Sequence, residues 1–125
     1  MPSITDRMRK RFIVVSSDGD LNGAIAAAVP AGWEMVAVTD LEDLGAWQEI
    51  LLHRFLLLNL DDAVVEDPVG LVDTIRREYQ LNIAIFCIGG DQGQRDRARM
   101  ARADRFFGRE ETLARLPEFF AQFGW

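Results

Sequence analysis

The stretch Phe55-Leu56-Leu57-Leu58-Asn59-Leu60 constrains the fold more than any other part of this chain. It is apolar on consecutive residues, broken only by one amide near its end. Such a run cannot show one face to water as an alternating strand does. It reads as a central strand covered on both faces, the signature of a parallel sheet with helices above and below. Residues 55–60 therefore need partners, and the chain supplies them. Residues 11–16, 33–38, 83–88 and 105–107 are β-branched or aromatic runs of strand length.

Helical patterns alternate with these strands. Ser17-Asp18-Gly19-Asp20 is turn chemistry, with Asp20 the predicted N-cap of an alanine-rich helix over 21–29 that Pro30 and Gly32 stop. Thr39-Asp40 caps a second predicted helix, 41–52, with apolar residues at Leu41, Leu44, Trp47, Ile50 and Leu51. Asp67-Pro68 opens a third, proline being harmless in the first turn. A fourth runs from Asp91 to Ala101 with a thin apolar stripe. The fifth covers 111–123 and turns Leu113, Leu116, Phe119 and Phe120 inward, and Pro117 predicts a kink or an early end. This order predicts an α/β, flavodoxin-like doubly wound sheet of five parallel strands, order 2-1-3-4-5, with right-handed crossovers and helices on both faces. Residues 1–10 read as a polar lead-in and 11–125 as one domain.

Composition narrows the function. The net charge of −6 and pI near 4.7 disfavour nucleic-acid binding. No apolar run approaches the roughly 20 residues of a membrane span, and the N-terminus lacks a signal-peptide core. A cytoplasmic protein is expected, and the single cysteine, Cys87, fits a reducing compartment. Arg95, Arg97, Arg99, Arg102, Arg105 and Arg109 lie close together in an otherwise acidic chain. They read as a solvated face or as a docking surface for an acidic partner.

In a sheet of this order, ligands bind at the carboxyl ends of the strands, near the point where strand order reverses. That edge carries Ser16, Ser17 and Asp18, then Asn59 to Asp62, then Cys87 to Gly90, and last Gly108 to Glu110. Together with the apolar frames around Phe12-Ile13-Val14-Val15 and Ala103-Asp104-Arg105-Phe106-Phe107, the pattern resembles the receiver domain of bacterial response regulators over residues 11–123. The resemblance implies two acids after strand one, an aspartate that takes a phosphoryl group at the end of strand three, a hydroxyl residue at the end of strand four, and a lysine before proline after strand five. Here those positions read Ser16-Ser17, Asn59, Cys87 and Arg109-Glu110.

Each departure removes a chemical requirement. Acyl-phosphate formation needs a carboxylate nucleophile, and magnesium needs oxygen ligands that two serines supply poorly. No lysine follows Lys10. Arg109 is no point-charge substitute for one, and Cys87 offers a weak S–H donor. The resemblance thus implies a pseudo-receiver: not an enzyme, without cofactor, acting through a protein partner such as a histidine kinase or a downstream signalling protein. It further implies a homodimer through the fourth helix, fifth strand and fifth helix, with Arg97, Arg105 and Phe106 at the interface. The rival is a phosphorelay receiver with a rearranged pocket, in which Asp61 accepts phosphate and Asp18 and Asp62 hold a weakly bound divalent cation. A third reading is a small-ligand or flavin-binding domain of the same fold, with Ser16 to Asp20 as the phosphate loop. His53 is expected to serve a helix C-terminus, and Cys87 to be inert core.

Overall fold

A computed structural model describes residues 3–125. A short helix, α1 (Ile4–Met8), precedes β1 (Lys10–Val15), so the lead-in is partly helical and the first strand starts one residue early. The chain continues through α2 (Gly19–Ala27), β2 (Trp33–Val38), β3 (Phe55–Asn59), α3 (Pro68–Asp73), β4 (Ala84–Ile88), α4 (Gln92–Met100), β5 (Arg105–Phe107) and α5 (Arg109–Gln122). The five strands form one parallel sheet in the order β2-β1-β3-β4-β5. The expected topology is observed, and every residue of β3 is buried.

The alternation of the strands sorts their side chains into two cores. Phe12, Val14, Phe55, Leu57, Phe86 and Phe107 meet α2 and α5 through Leu21, Ile25, Leu116, Phe119 and Phe120. Aromatic rings dominate this layer. Phe86 stacks on Phe119 at 4.6 Å between centroids and Phe12 on Phe55 at 5.0 Å, pairs worth ~1 kcal/mol each beyond the area they bury. Ile13, Val15, Leu56, Leu58, Ile85 and Cys87 face α3 and α4, with Val72, Ile75 and Ala98 opposite them. Among the described residues no helix is long and apolar enough to cross a membrane.

Three local expectations are corrected. Residues 41–52 do not form one helix. They form two 3-10 turns, Leu41–Leu44 and Trp47–Leu52, separated at Gly45 with φ of 93°. Asp40 caps the first turn as expected, accepting the Glu42 N–H. The N-cap of α2 is Asp18 rather than Asp20, because Asp18 Oδ1 accepts the Leu21 N–H at 3.1 Å. Pro117 does not end α5, which runs 14 residues through it. The proline is exposed on the outer side of that helix.

After α3 the chain widens into one π turn, Thr74–Glu78, then closes at Gln80 with φ of 55°. The buried Arg76 locks this corner. Its guanidinium donates to the carbonyls of Arg102, Leu81 and Ile83 and to the Asp104 carboxylate. His53 closes the second 3-10 turn, with Nδ1 2.8 Å from the Glu49 carbonyl, as its position at a helix end suggested. Burial lowers its pKa.

Candidate functional site

The carboxyl ends of β1 and β3 lie side by side, Val15 pairing with Leu58. The residues just beyond them, Ser16 and Asn59, therefore touch. Asn59 is buried, and its Nδ2 donates to Ser16 Oγ at 3.2 Å while its Oδ1 accepts the Asp61 N–H at 3.1 Å. Both ends of the amide are occupied. Ser16 Oγ also accepts the Asp18 N–H, and its hydroxyl donates to Asp62. The Asn22 side-chain N–H group closes the ring on the Ser16 carbonyl at 2.9 Å.

Asp62 is the hub of this edge, a role its sequence context did not announce. It is 9% exposed. Five groups donate to it: the Ser16 and Ser17 hydroxyls and the N–H groups of Ser17, Val64 and Val65. A carboxylate offers about four lone-pair directions, so this one is saturated. Its burial raises the pKa, yet the Ser17, Val64 and Val65 N–H groups and the Ser17 hydroxyl outweigh that and bring it down to about 2. The charge has changed loops. Serines stand after β1 where the resemblance implied acids, and one acid from the loop after β3 reaches back to fill the gap.

Asp18 and Arg109 close the other side. Arg109 Nη1 meets Asp18 Oδ2 at 2.9 Å, joining the first turn of α5 to the cap of α2. The hydrogen bond from Arg109, with the Leu21 N–H, lowers the Asp18 pKa. Asp18 and Asp62, suggested as cation ligands, are thus both engaged by protein donors, and they do not turn to a common point with Asp61. Asp61 is exposed and accepts the Gly90 N–H at 3.0 Å. Among the described residues, no group of three or more His, Cys, Asp or Glu side chains gathers as metal ligands.

Cys87 is not brought to this edge, which corrects its assignment as a switch position. It pairs with Leu58, whereas Asn59 pairs with Ile88, so its thiol points to the other face of the sheet. It is fully buried there, and desolvation pushes its pKa up to about 12. The mouth of β4 is instead Gly89-Gly90, with φ of 73° and 83°. A side chain on Gly89 would collide with the Asp61 carboxylate.

The expected interface residues divide. Arg105 and Phe106 lie on β5, where Phe106 carries the Arg99 guanidinium 4.8 Å from its ring centroid. Arg97 sits on a different side of α4, in the groove shared with α3. Arg99, named from the sequence only as one of the clustered arginines, is the α4 residue that lies against β5.

No family model matches this sequence, and neither does any curated protein. Solved structures do match. A response regulator receiver protein from Pseudoalteromonas atlantica is 12% identical, with a TM-score of 0.67 over 90% of this chain and 95% of that one. The receiver domain of a DNA-binding response regulator from Colwellia psychrerythraea is 14% identical, with a TM-score of 0.68 over 90% and 96%. An orphan response regulator of H. pylori is 15% identical, with a TM-score of 0.64 over 88% and 95%. The topology, the strand lengths and these matches together give one result: the chain has the fold of a response-regulator receiver.

Proposed function

We propose that this domain is a cytoplasmic signalling module that works by binding other proteins and is not switched by aspartyl phosphorylation. The observation that carries the proposal is the state of the strand-three position. Asn59 offers an amide where a nucleophilic carboxylate is required, and both of its polar atoms are held within the protein. The surrounding charges support the same reading, Asp62 being saturated and Arg109 paired with Asp18. The partner-facing surface is α4, β5 and α5, where Arg99 lies over Phe106 and Arg105 over Phe107. The partner is a kinase-like or downstream signalling protein, or a second copy of this chain, and no catalysis is required of the domain itself.

Incubation with acetyl phosphate and magnesium, followed by intact-mass measurement, tests the proposal. An unchanged mass is expected. A gain of one phosphoryl group that disappears in Asp61→Asn would replace this function with that of a rearranged phosphorelay receiver.

A further inference from the structure

At the β2 edge of the sheet, opposite the β5 edge, a cavity of about 330 Å³ opens between the end of β2, the first 3-10 turn and α3. Leu41, Val65 and Leu71 supply its apolar wall. Tyr79 lies at one end, stacked on Trp47 with centroids 6.1 Å apart and planes 20° apart. Trp47 remains 43% exposed, although an indole this size normally finds cover. Splitting residues 41–52 into two short turns at Gly45 leaves that indole on the surface.

The rim of the groove is uniformly anionic. Asp40, Glu42, Glu66, Asp67 and Glu78 line it, and among the described residues no arginine or lysine does. Asp40 and Asp67 use one oxygen each as helix caps, for Glu42 and Gly70. None of the five takes part in an ion pair among the described residues, although six ion pairs form elsewhere. Like charges around one cavity raise each other's energy, and a bound cation relieves it. An exposed aromatic stack beside carboxylates favours a guanidinium over an ammonium, because the planar group stacks on rings and accepts two carboxylate contacts.

We propose that this groove docks an arginine-bearing segment of a partner protein, its apolar residues against Leu41, Val65 and Leu71 and its guanidinium between Tyr79–Trp47 and the acidic rim. The site is separate from α4, β5 and α5, and it stands whether or not the domain can be phosphorylated.

The probe is a peptide alternating arginine and leucine, titrated into the isotope-labelled protein and followed by amide chemical shifts, with affinity measured by calorimetry. Shifts should concentrate in residues 39–42, 65–67 and 74–79. The triple variant Glu42→Gln, Glu66→Gln, Glu78→Gln should weaken binding about tenfold, three exposed charge contacts contributing a few-fold each. A control variant, Asp20→Asn, Glu110→Gln, Glu118→Gln, removes the same charge on α2 and α5 and should bind as wild type. Equal loss in both variants, shifts spread over the whole surface, or no binding would overturn the proposal. So would self-association that the groove variant abolishes, since the occupant would then be a second copy of this chain.

Discussion

Asp62→Asn removes the charge at the centre of the site while keeping its shape. Asp62 holds five donors, and an amide can accept at only one of its two ends. Its nitrogen would face N–H groups that now find an anion. The carboxyl titrates at about 2 in the fold against an ordinary 3.8, a difference of nearly two pKa steps. Each step corresponds to about 1.4 kcal/mol, so the charged form contributes at most about 2.5 kcal/mol, reduced towards ~1 by solvent at the mouth of the loops. Because the folded pKa is depressed, that stability is present above the unfolded value. It is lost as pH falls through the folded value. Urea unfolding of both proteins between pH 7 and pH 2 is the assay. The variant should be less stable by ~1–2 kcal/mol at pH 7, and the gap should shrink between about pH 4 and pH 2 as wild-type Asp62 takes up its proton. A variant as stable as wild type at pH 7, or a gap that ignores pH, would show that Asp62 is not the anchor inferred from its donors.

Cys87 should resist iodoacetamide at pH 8 in the folded protein and react only after denaturation, because its buried thiol is pushed up to about 12; mass spectrometry of native and unfolded samples checks this. Arg76→Ala leaves the carbonyls of Leu81, Ile83 and Arg102 without their donor and should cost about 3 kcal/mol in urea unfolding. Arg99→Glu with Arg105→Glu should weaken partner binding or self-association measured by sedimentation, with little change in melting temperature, since both residues are exposed; unchanged association would remove β5 from the interface.

Much of this architecture can be read in the residues because its determinants are local. The apolar run at residues 55–60 predicts a doubly covered strand, and β3 is buried throughout. Asp40, Asp67 and Asp91 each cap the element they precede, through bonds spanning two or three residues. The failure at 41–52 has an equally local cause. Leu41, Leu44, Trp47 and Ile50 recur every third residue, which suits the three-residue turn of a 3-10 helix as well as an α-helix. The decision falls to Gly45, whose positive φ breaks the run. The site was less legible because its bonds span the chain. Asp20 reads as the cap of α2, yet Asp18 caps it and is also paired with Arg109, 91 residues away. Asp62 looks like a loop acid until the serines 45 and 46 residues earlier fold over it. The signal that could have found it is local and weak: a carboxylate followed by Val64 and Val65 can accept their N–H groups as a turn cap.

A switch needs a ligand that distinguishes two states of the protein, and moving a population from 1:99 to 99:1 takes about 5.5 kcal/mol of differential affinity. In a phosphorylated receiver, by resemblance, the covalent group supplies it at the carboxyl edge of the sheet. Here that edge offers little purchase. Asn59 is bonded at both ends, Asp62 is filled, and an effector seeking Arg109 must first take it from Asp18. Each displaced contact subtracts from the affinity that the effector could spend on shifting the equilibrium. Exposed charge lies elsewhere: five carboxylates at the β2 edge that form no ion pair among the described residues and the exposed Arg105 on β5. Those two surfaces are where differential affinity is available, so under the proposed function occupancy by partners, rather than chemistry at the strand ends, carries the signal.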